Sequence, residues 1–372
     1  MAEAQPPPVA LPQTQRAQIL HEFNQPYTYT PDHTLPISTP SDLKGHEILV
    51  RVAAASYCHT DHVFASGAMQ PQLPRIGSHE FAGTIHSFGP ALSSPEAQNE
   101  LGLSVGQLVG VPGRAKGPCG SCEECRSGKS AGDAQGYGVW CSKAGNLGLS
   151  VDGGWQEWCV VDGRQVAPVP TTSEGESKMA AVDVAPLMCA GVTVWSALKR
   201  AGLKMDALSP NSDHSGRLDN AGLAIAILGA GGGLGHLGVQ FASRLGATVI
   251  AADVGPSALA LCREIASECA GYSNAGRVHV VDSAATSAAQ LKSQQPELFN
   301  AAQDALEDEI GAHASIILPE AQAAFNWGMA VLKNHARCVV VSFPKDGWKF
   351  QHETLSSGIL RLWAFSLVET KI

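Results

Sequence analysis

Along the first half of the chain the apolar runs are short and interrupted. Glu47–Ala53, Phe81–Phe88, Gln107–Val111 and Glu157–Val161 stand between stretches bearing Gly and Pro. That punctuation predicts strands joined by long loops. From Leu223 the pattern changes. Leu223–Leu228 is a continuous apolar run, Gly235–Leu245 has helical spacing, and Thr248–Ala252 again reads as a strand. Arg277–Val281, Ala314–Leu318, Arg337–Ser342 and Ile359–Phe365 follow, with helical stretches between most of them. Six strands alternating with helices predict a doubly wound parallel sheet. The chain therefore reads as an α/β protein of two domains, β-rich over 1–190 and doubly wound over 191–372. Two polar stretches, Lys204–Asn220 and Ser127–Tyr137, read as inserted surface loops.

Composition narrows the class of function. A hydrophobic content of 44% and a mean hydropathy of +0.00 allow a large buried core. The formal net charge of −9 gives no general attraction to nucleic acid or to an anionic membrane. Met1–Leu20 lacks the apolar stretch of a signal peptide, and runs such as Ala221–Leu228 are too short to span a bilayer. A soluble, cytoplasmic protein is expected, with neither a nucleic-acid nor a membrane partner. In a reducing compartment the ten cysteines point to metal rather than to disulfides.

Cys119, Cys122, Cys125 and Cys141 form C-x2-C-x2-C-x15-C in a Gly-rich, hydrophilic stretch. Two-residue gaps let successive thiolates turn toward one tetrahedral centre, and a fourth can arrive from farther along a loop. A zinc with a structural role is expected there. The second chemical signal is Gly229-Ala230-Gly231-Gly232-Gly233-Leu234-Gly235, which follows a strand and opens a helix. Residues without side chains let the backbone approach a pyrophosphate, and the helix N-terminus supplies amide donors. Counted from Gly229, the last glycine falls one position later than G-x-G-x-x-G requires. Asp253 ends the next strand, where a carboxylate accepts hydrogen bonds from the adenosine ribose and repels a 2′-phosphate, favouring NAD over NADP.

The cysteine run resembles the structural-zinc lobe of medium-chain zinc alcohol dehydrogenases, particularly the yeast-like and bacterial ethanol dehydrogenases. That family usually places seven residues between the last two cysteines, where this chain has fifteen. Cys58-His59-Thr60-Asp61, Gly77-Ser78-His79-Glu80 and Ala185–Thr193 are similar to its catalytic-zinc segments, with Ser78 added between Gly and His. The resemblance implies a GroES-like catalytic domain followed by a Rossmann domain, two zincs per subunit, NAD and an alcohol or aldehyde substrate. Cys58, His79 and Cys189 would hold the catalytic zinc, with Glu80 an occasional fourth ligand. Thr60 would relay the alcohol proton, Asp61 would orient His79, and His59 would face the cofactor pyrophosphate. Gly229, Gly231, Gly232, Gly233, Leu234, Gly235, Asp253 and Thr193 would line the cofactor. Yeast-like members carry a relay histidine where Val63 stands; His62 is one position early.

A homo-oligomer, dimer or tetramer, is implied as well. Relatives also continue well past the sixth sheet strand and place a basic residue for the pyrophosphate there, whereas Ser366–Ile372 alone follow here. Weaker cofactor binding or lower stability is the corresponding expectation. Two other readings stay open: an enoyl or quinone reductase of the same superfamily, and a zinc-stabilised dinucleotide-binding protein without turnover.

Overall fold

The computed structural model describes residues 10–69, 72–114, 116–130, 141–206, 219–300, 306, 309–350 and 361–364. The chain divides into two compact units, the second beginning at Ala190.

The first unit holds β1 (Thr14–Leu20), β2 (Thr28–Thr34), β3 (Glu47–Ala55), β4 (Arg75–Ile76), β5 (Glu80–Phe88), β6 (Leu108–Pro112), β7 (Trp158–Asp162) and β8 (Ala167–Pro168). Five of them form an antiparallel sheet in the order β7-β3-β5-β6-β8. Alternate side chains of these strands, among them Ile48, Val50, Phe81, Ile85, Val109 and Val161, build its core. The four runs read from the sequence are β3, β5, β6 and β7, each within a residue or two.

A second sheet, β2-β1-β4, escaped the hydrophobic pattern. Its strand β1 alternates buried and exposed positions, but one buried position is a glutamine. Gln15 is satisfied across the fold: its amide donates to Gln156 Oε1 at 2.9 Å, and its carbonyl accepts from Trp158 N at 2.8 Å. A strand that buries a polar side chain on partners 141 and 143 residues away leaves no period-2 apolar trace.

The second unit carries β9 (Ala224–Leu228), β10 (Thr248–Asp253), β11 (Val278–Asp282), β12 (Ala312–Ile317), β13 (Leu332–Val340) and β14 (Arg361–Ala364). They form one parallel sheet in the order β11-β10-β9-β12-β13-β14. Successive residues of β9 and β10 go to opposite cores. Ile225, Ile227, Val249 and Ala251 lie in one, against helices Ala190–Ala201, Gly235–Arg244 and Pro256–Ala270. Ala224, Ala226, Leu228, Ile250 and Ala252 lie in the other, with side chains of helices Ala288–Gln294 and Gln322–Ala330. Burial on both faces makes each strand a continuous apolar run, so the sequence signal is strong here. β13 starts five residues before the expected Arg337, and His335 has a φ of 60° just before it, at a break in the pairing register.

The expected insertion at Lys204–Asn220 is closed at its neck by one side chain. Asn220 is fully buried; its carbonyl accepts from Lys204 N at 2.9 Å, and its amide donates to Lys204 O at 3.0 Å and Leu245 O at 2.9 Å. Residues 207–218 lie outside the described residues. In the other expected loop, Ser127–Ser130 belongs instead to a helix, Glu123–Ser130, and 131–137 lie outside the described residues. Asn220→Leu removes all three bonds and leaves Leu245 O buried without its partner, so a loss of about 2–4 kcal/mol is expected in urea denaturation. A loss below about 0.5 kcal/mol would mean that the neck does not depend on Asn220. Among the described residues no single helix is long and apolar enough to cross a membrane.

Candidate active site

The antiparallel pairing of β3 with β5 sets Ala55 opposite Phe81, and Ser56 N donates to Glu80 O at 2.9 Å. Cys58, three residues past β3, is thereby carried to the start of β5, next to His79. The third segment is brought in by packing. Val184, Ala185 and Met188 share a cluster with Ala82 and Leu108, and Gly110 leaves the space that Met188 fills: a Cβ at Gly110 would lie 2.3 Å from its sulfur. Cys189 follows at once.

The ligand atoms of Cys58, His79 and Cys189 all lie within 4.8 Å of one another. Cys58 Sγ is 3.9 Å from Cys189 Sγ, and His79 Nε2 is 3.3 Å from the same sulfur. Zinc–sulfur bonds of about 2.3 Å and zinc–nitrogen bonds near 2.0 Å give tetrahedral edges of about 3.5–3.8 Å. Two thiols and an imidazole thus fit zinc in type and in spacing, and they leave a tetrahedral position open.

Asp61 organises the constellation. Cys58 caps helix His59–Ala65, and the Asp61 carboxylate reaches back to accept from Cys58 N at 2.9 Å. Its other oxygen accepts from Ser78 N at 3.2 Å and lies 3.5 Å from His79 Nδ1. Asp61 is fully buried and faces Nδ1 of the imidazole, while Nε2 faces the sulfur of Cys189. Burial pushes the His79 imidazole down, but Asp61 and Cys58 outweigh it and raise it to about 10. The hydrogen bond from Cys189, helped by His79, holds the Cys58 thiol down at about 3. The Thr60 hydroxyl lies 3.7 Å from Cys58 Sγ. His59 and His62 are exposed on the same helix with ring centroids 5.8 Å apart, and Val63 is half-buried.

Glu80 is buried at the start of β5. The hydrogen bond with Cys58 and burial push the Cys189 thiol well up; the Glu80 charge adds to this and Arg114 works against it. Arg114 had no place in the sequence reading. Burial pushes its guanidinium down, and the sulfurs of Cys189 and Cys58 push it up. Its neighbour Gly113 packs on His79, where a Cβ would come 2.4 Å from His79 Cβ. A glycine followed by a cation ahead of the cysteine run was the one available signal.

Cys119, Cys122, Cys125 and Cys141 likewise bring their sulfurs within 4.8 Å of one another. Cys119 N donates to Cys141 Sγ and Cys122 N to Cys119 Sγ, both at 3.4 Å. An antiparallel bridge between Lys116 and Gly145, with both bonds at 2.8 Å, closes the lobe at its base. Cys141 therefore meets the other three despite the fifteen intervening residues.

In the second unit β9 runs into the glycine turn, and helix Gly235–Arg244 leaves it. Gly229 has φ +77°; a Cβ at Gly231 would lie 2.6 Å from Ala258 O, and one at Gly235 only 2.0 Å from Gly229 O. Gly235, one position late in the sequence, is the glycine that lets helix and strand pack closely. A Cβ at Gly233 would meet open space. Asp253 accepts from Gly231 N and Val254 N, one at each carboxylate oxygen and each at 2.7 Å. Thr193 lies in helix Ala190–Ala201, which packs on helix Gly235–Arg244; its hydroxyl is buried without a hydrogen-bond partner among the described residues.

Residues 44–171 match the family model described as the alcohol dehydrogenase GroES-like domain. An alcohol dehydrogenase of Geobacillus stearothermophilus is 31% identical over 302 residues, covering 81% of this chain and 71% of the relative. The alcohol dehydrogenase of the archaeon Aeropyrum pernix superposes with a TM-score of 0.68 at 25% identity, over 94% of this chain and 84% of that one. Acetophenone reductase of Geotrichum candidum, solved in complex with NAD, gives 0.64 at 22% identity, over 95% and 83%. With that sequence identity spread over both units, the chain belongs to the medium-chain zinc alcohol dehydrogenase family.

Proposed function

We propose that the protein oxidises a primary or secondary alcohol, reversibly, to an aldehyde or ketone with NAD. The observation that carries this reading is the convergence of Cys58, His79 and Cys189 on one point with a coordination position left open. Bound there, zinc supplies Lewis acidity that stabilises an alkoxide, and NAD at the glycine turn supplies the hydride acceptor. Cys58, His79 and Cys189 hold the metal, and Glu80 is an occasional fourth ligand. Thr60, beside Cys58, takes the alcohol proton and passes it on. Asp61 keeps Nε2 of His79 turned inward, and His59 faces the pyrophosphate. The turn Gly229–Gly235 lets the backbone approach that pyrophosphate, and Thr193 offers its hydroxyl to the cofactor. Cys119, Cys122, Cys125 and Cys141 hold a second, structural zinc. A homo-oligomer, dimer or tetramer, in the cytoplasm completes the reading.

Metal analysis combined with NADH absorbance over a panel of alcohols and aldehydes tests it. Two zincs per chain with turnover support the reading; zinc and NAD binding without turnover on any substrate would overturn it in favour of a non-catalytic binding protein.

Cofactor choice gives a sharper prediction. Each Asp253 oxygen already accepts one backbone amide and keeps lone pairs for ribose hydroxyls. NAD is expected to be strongly preferred over NADP. Asp253→Asn keeps an acceptor for Gly231 but removes the charge that repels a 2′-phosphate. The NAD-to-NADP ratio of kcat/KM should fall by about 10–100-fold. A wild-type preference for NADP would refute the assignment.

A further inference from the structure

We infer that Ser78 is a positioning residue for the catalytic metal, its hydroxyl tying the segment of His79 to that of Cys58 whether or not metal is bound. The inference rests on the reading of Cys58, His79 and Cys189 as zinc ligands.

Ser78 is fully buried and has a φ of +68°. That region is open to glycine, and any residue with a Cβ adopts it at an energetic cost. Among common residues Asn and Asp tolerate it best; Ser has no such advantage. A glycine would make the same turn without strain, so the serine has to be accounted for by its hydroxyl.

The hydroxyl sits between the two ligand segments. Ser78 Oγ lies 3.1 Å from Ser56 O and 3.1 Å from Glu80 O, and its one hydrogen is shared between them. Glu80 N approaches the same oxygen at 3.4 Å. Ser56 is two residues before Cys58, and Glu80 follows His79. The backbone at the same position completes the tie. Ser78 N donates to Asp61, and Ser78 O accepts from Gly154 N at 2.8 Å. The surrounding chain is stripped to fit it: a Cβ at Gly153 would lie 2.0 Å from Ser78 O, and one at Gly148 2.5 Å from Ser78 C. Ser78 therefore joins Ser56, Asp61, Glu80 and Gly154, of which Glu80 adjoins His79, Ser56 lies two residues from Cys58 and Asp61 faces His79 Nδ1. Such a tie holds the imidazole and the Cys58 thiol at metal-binding separation before the metal arrives, as outer partners of metal ligands do elsewhere.

Two variants separate the hydroxyl from the strain. Ser78→Ala keeps the strained Cβ and loses the hydroxyl; Ser78→Gly loses both and folds without difficulty at this φ. In each, the catalytic-site metal should pass to a chelator about 10–100-fold faster than in the wild type. The visible absorption of cobalt substituted at that site should shift, and kcat should fall about tenfold with KM for NAD unchanged. Ser78→Ala should melt below Ser78→Gly, because it alone retains the strain. A Ser78→Gly protein with the wild-type release rate and cobalt spectrum would overturn the inference. Failure of the underlying reading looks different: replacing His79 in an otherwise unchanged protein would then remove no metal.

Discussion

His79→Ala is expected to remove one of two zinc equivalents and to lower kcat/KM for alcohol oxidation by about a thousandfold or more, roughly 4 kcal/mol of transition-state stabilisation. The imidazole is one of three converging donors, and the two remaining thiols make a poor site alone. The substitution also strips Asp61 of the group it faces at 3.5 Å, leaving a fully buried carboxylate that accepts from Cys58 N and Ser78 N. A modest fall in melting temperature should accompany the loss of activity, since one interaction of a buried charge is removed while its two amide bonds persist. NADH binding, followed by cofactor fluorescence, should survive, because the glycine turn and Asp253 belong to the other compact unit. Retention of both zincs with full activity would place the chemistry elsewhere.

The residues of this site show what a sequence can and cannot disclose. Cys58, His79 and Cys189 lie 21, 110 and 131 residues apart pairwise, so no local spacing joins them. Only the resemblance of three separate segments did. Their meeting depends on the β3–β5 pairing and on Met188 seated against Gly110, contacts between distant segments that leave no periodic trace. The glycine turn is the opposite case. Strand, turn and helix are contiguous, and the steric demand at each glycine is met by near neighbours, so the motif was visible as text. Even there, the role of Gly235 became clear only from its approach to Gly229 O.

Ser78 and Arg114 were opaque for another reason. A serine between Gly and His reads as an insertion until its φ is known, and no local spacing ties Arg114 to the sulfurs of Cys189 and Cys58, with which its charge interacts. The parallel sheet was the most legible part, because strands buried on both faces are continuous apolar runs. The β2-β1-β4 sheet was the least legible, because Gln15 is buried through hydrogen bonds rather than by apolarity.

Cys141→Ser is expected to remove the other zinc equivalent, leaving the catalytic one in place, and to lower the melting temperature by about 5 °C or more. The fourth sulfur is the one farthest along the chain. Within it, Cys119 N and Cys122 N donate to sulfur, so thiolates replace the backbone acceptors of ordinary secondary structure. The substitution exchanges the sulfur that accepts from Cys119 N for a smaller hydroxyl and leaves three thiols, one of them the buried Cys125, around a metal that needs four donors. The base should persist. The Lys116–Gly145 bridge, the bond from Gly117 N to Asp162 at 3.2 Å and the Asp162–Arg164 pair at 2.6 Å all lie outside the four ligands. Proteolysis should therefore open the chain between Lys116 and Gly145 first, while β3, β5 and β7 stay protected. Catalysis should fall only as far as the lobe's disorder reaches the active site, and zinc at Cys58, His79 and Cys189 should remain measurable. A Cys141→Ser protein that kept both zincs and an intact lobe would show that the stretched fourth cysteine takes no part in the metal site. Combined with His79→Ala, it should yield a protein without zinc, and that additivity assigns each metal to its own set of ligands.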